Sequence, residues 1–278
     1  MDKNAAIVRE FYDNNAAREL ARLANRPEFI ITCRMLDRYI QPGDRVLDIG
    51  GGPGRYSLYY AAKDCSVTLL DLSPACVELA QEQAAAQGLS LQGIAGDARL
   101  ADELLTEQFD HVLLMGPLYH LLEEKERSKA VAAALKLLKP GGILYVSFIS
   151  VNAGIIYYLT DAPQDIGLTA SNKNEMAFLN RFLAVASIAG TAFTEAFFIA
   201  PGEILPFMER FPLEKLHLFG QESLLSLNEA GVMAQSPEVI ATWLDIALKV
   251  CEREDLLSWS QHLMYIGRKK DTLAHQAT

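Results

Sequence analysis

The chain has 278 residues, half of them hydrophobic and 22% charged, with a formal net charge of -10, the make-up of a folded globular protein long enough to bury a real core. That acidic balance disfavours a nucleic-acid backbone as partner, because such binding rests on lysine and arginine displacing counterions. The N-terminus lacks an apolar signal core and no segment reaches the ~20 apolar residues a membrane helix needs, so a soluble cytoplasmic protein is expected, of open oligomeric state.

Taken in order, residues 1–44 carry apolar side chains at helical spacing, Ile7, Phe11, Leu20 and Leu23, then Met35, Leu36 and Tyr39. They predict N-terminal helices acting as a packing layer or as a flap over a ligand. From 45 to 149, short aliphatic runs alternate with longer amphipathic stretches, the pattern of a parallel sheet flanked by helices. Strands are expected at 45–49 (RVLDI), 66–70, 89–94, 109–115 and 142–148. Ser73 and Pro74 form an N-cap and first-turn pair for the helix that Gly88 closes. The stretch EEKERSKAVAAALKLLK has acids first and lysines last, matching a helix dipole, and stops at PGG. Residues 150–200 lose the strand-helix beat and are expected to form a cap insertion over the ligand site. Order returns at PGEILPFMERF, followed by a strand at 213–219, helical stretches at 221–233 and 237–254, and a last strand at 262–268. Residues 45–149 and 201–270 would form the core, with a frayed tail at 271–278.

The chemistry is concentrated in DIGGGPGRY, residues 48–56, directly behind the first strand. A glycine-rich strand-to-helix turn exposes backbone N–H groups to a ligand at the carboxyl edge of an open parallel sheet. Asp48, two residues before the first glycine, is awkward beside a pyrophosphate but suits a cationic ligand group. Asp71 ends the second strand, where a carboxylate can accept both hydroxyls of a ribose. Asp97, in GDARL, follows the third strand in the same relative position. Three acids at one sheet edge point to a nucleoside with a cationic part.

Through VLDIGGGPG, LLDLSP, GDARL, FDHVLLMGPLYHL and LKPGGILYVSF, spanning residues 45–149, the chain resembles the class I S-adenosylmethionine-dependent methyltransferases, small-molecule type. The resemblance implies a Rossmann-like, doubly wound α/β fold whose seven-stranded sheet has an antiparallel seventh strand between the fifth and sixth. It makes Gly50, Gly51, Gly52 and Gly54 the floor under a methionyl group and turns Asp48 and the Met115 carbonyl toward its ammonium. Asp71 would take the ribose hydroxyls, Leu72 would pack on adenine, and Asp97 and the Ala98 N–H would meet the adenine edge.

Methyl transfer from a sulfonium needs alignment, and a base only where the nucleophile arrives protonated. His120, just beyond the fourth strand, is the candidate base, with Tyr12 as its partner from the N-terminal segment; the bland alternative is a helix cap and a core tyrosine. Tyr119 would line the acceptor pocket or pack under a helix. The aromatic set Phe193, Phe197 and Phe198 would be cap core or an apolar acceptor wall, with Phe197 the substrate-facing choice. The four cysteines, Cys33, Cys65, Cys76 and Cys251, show no metal-ligand spacing, and no carboxylate follows the fourth or fifth strand, so metal-free methylation of a small molecule is the expected activity. The competing readings are a non-catalytic protein that binds the same cofactor, and a nicotinamide-dependent oxidoreductase, in which Asp48, GDARL and LKPGG would have no role.

Overall fold

The computed structural model describes residues 2–22, 26–183, 186–191 and 194–271; Leu23, Phe193 and the tail beyond 271 lie outside them. Strands β1 (Arg45–Ile49), β2 (Ser66–Asp71), β3 (Gln92–Ala95), β4 (Phe109–Leu114), β5 (Leu138–Ile149), β8 (Leu213–Gly220) and β9 (His262–Lys269) form one sheet, while β6 (Ile188–Thr191) and β7 (Glu195–Phe198) form a separate antiparallel pair. The sheet order is β3-β2-β1-β4-β5-β9-β8. β1 to β5 run parallel and β9 runs antiparallel to both neighbours. The chain reverses direction across the sheet at β1 and β4, and ligands gather at such a switch point.

Helices α1 (Lys3–Arg22) and α2 (Pro27–Leu36) precede the sheet; α3 (Arg55–Ala61), α4 (Pro74–Ala86), α5 (Ala101–Leu104), α6 (Pro117–His120) and α7 (Glu124–Leu137) fall between its parallel strands. Burial explains why the strands are so apolar. In β1, Leu47 and Ile49 join the core under α7, while Val46 joins the opposite core with α2 and α3, so both faces are covered. Local signals fix the ends. The Ser73 hydroxyl accepts the Cys76 N–H at the start of α4, with Pro74 in the first turn, and Gly88 follows α4 at a φ of 68°.

Two regions differ from the sequence reading. The insertion contains helices α8 (Ala153–Thr160), α9 (Asp165–Ser171) and α10 (Lys173–Leu183), then the β6–β7 pair, tied to the end of β5 by reciprocal bonds of Ile149, Val151 and Ile199. Its own small core gathers Phe182, Ile188, Ala196 and Phe198. After α11 (Pro201–Met208) and β8, the expected helix at 221–233 is a short 3-10 turn, Ser223–Leu227, and a five-residue α12, Glu229–Met233. Glu222 is drawn inward to Ser260 and His262, and Asn228 takes an extended φ of -154°, which together break the helix. α13 (Pro237–Val250) then leads to β9. Among the described residues, no helix is long and apolar enough to cross a membrane.

Candidate active site

The turn after β1 is built by close approach. A Cβ on Gly50 would lie 2.3 Å from the Pro117 ring, at a φ of 75°; one on Gly51 would lie 2.3 Å from Leu69 and 2.6 Å from Asp48 Oδ2. No side chain fits there, so backbone forms the floor of the space above. Gly54 differs: it stands at the start of α3 at a φ of 82°, a Cβ there would meet Ala80, and it does not line the cavity. Its place in the floor is therefore corrected to helix-on-helix packing.

That floor opens into a cavity of about 420 Å³, within the usual ~300–1,000 Å³ range of ligand pockets. It runs from Asp97, Ala98 and Arg99 past Asp71, Leu72, Gly50, Gly51 and Gly52 to Met115, and on to Tyr119, His120, Glu28 and His262. Asp48 is fully buried: its Oδ2 accepts the Ser57 hydroxyl at 2.7 Å, and its Oδ1 has no hydrogen-bond partner among the described residues. Burial pushes its carboxyl up to about 7, so the site withholds compensation from a charge that a cationic ligand group would supply. Asp71 is also raised by burial, to about 6, against N–H groups donated by Ser73 to Oδ1 and Gly52 to Oδ2, each at 2.8 Å. A carboxylate has about four lone-pair sites, so capacity remains toward the cavity.

Asp97 is engaged differently from the sequence expectation. Its carboxylate accepts the Arg99 backbone N–H and the Arg99 guanidinium, whose remaining contacts reach Asp2 and Glu126. Burial raises Asp97, and the Arg99 bonds overcome this to hold it below the ordinary range. Asp97 thus anchors an arginine that ties the start of α1 to α7.

α1 closes over the pocket by contacts no local pattern reveals. Tyr12 Oη lies 2.9 Å from His120 Nε2, Asn4 donates to the His120 carbonyl at 2.6 Å, and the Ser73 hydroxyl donates to Asp13. His120 is buried, with Nδ1 3.1 Å from the Thr194 hydroxyl. Burial lowers its pKa to about 4, against a bond to the Glu195 backbone. Tyr119 lines the cavity; Phe197 does not, because its ring packs on the main core with the Arg127 guanidinium 3.5 Å above it. That corrects its assignment as an acceptor wall. Among the described residues the cavity takes no lining from 150–200, which reaches the site through the bonds of Thr194 and the Glu195 backbone to His120.

Sequence reasoning missed Glu19 and Arg22 on α1, Glu28 on α2, Tyr56, Gln221 and His262, all of which line the cavity. His262 was legible only as the opening of β9, yet an antiparallel strand starts at the edge where its parallel neighbours end, and that signal places it at the site.

Residues 46–142 match the family model described as a methyltransferase domain. The strand order, the antiparallel β9 and the acid-flanked glycine turn lie within or beside that match, so residues 46–142 are similar to a methyltransferase domain. Ubiquinone biosynthesis O-methyltransferases are similar to this chain: that of Xanthomonas euvesicatoria is 31% identical over 54% of the chain and 60% of its own length, that of Xylella fastidiosa 33% over 54% and 58%. The chain therefore spans about 60% of those relatives. Two solved structures share the methyltransferase fold. The N-methyltransferase NodS from Bradyrhizobium japonicum, in complex with S-adenosylhomocysteine, gives a TM-score of 0.54 at 16% identity, covering 93% of this chain and 98% of that one. The 1,6-didemethyltoxoflavin-N1-methyltransferase from Burkholderia thailandensis gives 0.58 at 16% identity, covering 96% and 89%.

Proposed function

We propose that the protein transfers a methyl group from S-adenosylmethionine to a small-molecule acceptor, without using the glycine turn for a phosphate. The observation that carries this is Asp48, a fully buried carboxylate with one oxygen unpartnered among the described residues, beside a turn that only backbone can fill. A pyrophosphate would be repelled there, whereas an ammonium would be held.

S-adenosylmethionine, when bound, supplies an electrophilic methyl on a sulfonium. The chain's residues then bind and orient. Asp71 and Leu72 would hold the ribose and adenine, with Ala98 and the Asp97–Arg99 pair at the adenine edge. Gly50, Gly51, Gly52, Asp48 and Met115 would hold the methionyl part. Alignment of two reactants in one cavity is worth up to ~7–11 kcal/mol, and α1, latched by Tyr12 to His120, keeps bulk water from that alignment. In this reading residues 1–44 are the flap, 45–149 and 201–270 the core, and 150–200 a buttress that fixes His120 through Thr194. Tyr119 borders the acceptor, and relatives named for ubiquinone biosynthesis support a small acceptor molecule.

The test is incubation with labelled S-adenosylmethionine and a panel of phenols, alcohols, thiols and amines, with release of S-adenosylhomocysteine as readout. Turnover with at least one small acceptor supports the proposal; cofactor binding with none across the panel favours a non-catalytic binder.

A further inference from the structure

The cavity's far end, beyond the end of β5, contains a second histidine in a setting opposite to that of His120. His262 opens β9, and its Nδ1 pairs with Glu222 Oε1 at 2.5 Å. Glu222 is itself held: Oε2 accepts the Ser260 hydroxyl and the His262 backbone N–H. The carboxylate is 3% exposed, so it cannot swing away. The imidazole is oriented on one side, lines the cavity on the other, and its Nε2 makes no hydrogen bond among the described residues. An imidazole aimed by a fixed carboxylate, with its second nitrogen open, is the arrangement of a proton acceptor.

His120 lacks that arrangement. Both its ring nitrogens have partners, Tyr12 Oη and Thr194 Oγ1, and it is 8% exposed. Its contacts describe a latch for α1.

The walls around His262 have hydrogen-bonding capacity to spare. Glu28, on α2, brings a carboxylate oxygen within 4.8 Å of donor atoms of both His262 and Glu222, and its nearest ion pair, with Arg22, is a long 3.5 Å. Tyr56 is 7% exposed and lines the same cavity.

We propose that His262, oriented by Glu222, takes the proton from the acceptor's nucleophile, and that the acceptor is a molecule presenting a weakly acidic O–H or S–H group to this end of the cavity. This rests on the methyl-transfer reading above. As the new bond to the methyl forms, the O–H or S–H bond breaks and its proton passes to Nε2 of neutral His262. The electron pair of the methyl–sulfur bond stays on the departing sulfur, which loses its positive charge. The imidazolium then gives its proton to solvent.

The groups facing His262 are Glu222 after β8, Glu28 on α2 and Arg22 on α1. Burial lowers its pKa, and the two carboxylates outweigh both burial and Arg22 to raise it above the ordinary value. The base form therefore grows in as pH rises above the ordinary imidazole range, and the rate should rise with it.

The test uses the full chain with S-adenosylhomocysteine bound and histidine ¹⁵N-labelled, followed by long-range proton–nitrogen NMR. Expected is a His262 titration above the ordinary imidazole value, shifted down by Glu222→Gln, with the neutral ring that appears above it keeping its proton on Nδ1, while His120 stays neutral at every pH above its own low value. In the acceptor panel, His262→Gln should lower kcat by about 10²-fold or more, the contribution of a general base, and abolish the rise with pH, with S-adenosylhomocysteine affinity within about threefold of wild type. A proton on Nε2 of the neutral ring, or a His262→Gln variant keeping the rate and its pH slope, overturns the assignment. Methylation confined to neutral amines overturns the acceptor class. Failure to bind S-adenosylhomocysteine at all would instead overturn the methyl-transfer reading.

Discussion

Asp48 and Asp71 are neighbours with different tasks, and their environments separate them. Asp71 spends two lone pairs on the N–H groups of Gly52 and Ser73, so it both shapes the turn and faces the cavity. Asp71→Ala should weaken S-adenosylhomocysteine binding by about 10- to 100-fold, the loss of charge-assisted hydrogen bonds worth ~1.5–3 kcal/mol, as read by calorimetry. Asp48 is raised to about 7. Its folded-state pKa lies above the ordinary value, so its contribution to stability is full at low pH and declines as pH rises toward 7. A bound ammonium reverses that, drawing the proton off. Affinity for S-adenosylhomocysteine should therefore increase from pH 6 to pH 8 with proton release, measured by calorimetry in buffers of different ionisation heat, and Asp48→Asn should flatten the dependence. His120 works in the other direction: its pKa is lowered to about 4, so the stability it contributes is present above 6.5 and is lost as pH falls toward 4. Of these residues, the two acids and the histidine stood out in the sequence because each follows a strand in a recognisable run. Their protonation did not, since burial is a property of the folded chain.

Among the elements, the glycine turn and α1 carry the account. Gly51→Ala places a methyl against Leu69 and the Asp48 carboxylate, and overpacking of this kind costs ~1–3 kcal/mol; thermal unfolding should show that loss along with weaker cofactor binding. α1 is held at the site chiefly by polar contacts, so Tyr12→Phe with Asn4→Ala should speed hydrogen exchange in α1 and leave β1 and β4 protected. The strands of the core were legible because a strand covered on both faces is apolar throughout, as RVLDI and FDHVLL show. The stretch 221–233 was not, because its composition is helical while its course is decided by Glu222 reaching Ser260 and His262 some forty residues away. The insertion resisted reading for a related reason: short helices α8 to α10 and a four-residue strand pair give too few periods to separate from loop.

At the scale of the whole molecule, the sheet order brings the ends of β1, β2 and β4 and the start of β9 to a single edge, so one cavity can hold a nucleoside at one end and an acceptor at the other. On the half of that edge built from β1 to β4, spacing marked the glycine turn and the acids Asp48, Asp71 and Asp97, while Leu72, Ala98 and Met115 came from the family resemblance. The acceptor half could not be read from spacing, because it is assembled from α1, α2, the turn after β8 and the start of β9, segments drawn from near the two ends of the chain. The central claim is that this edge binds a sulfonium nucleoside and its thioether product. It is tested most directly by calorimetric titration of the purified protein with S-adenosylmethionine, S-adenosylhomocysteine and NADH. Saturable 1:1 binding of the first two with no heat from the third is the predicted result, whereas binding of NADH in place of the two sulfur ligands, or of none of the three, would contradict the account.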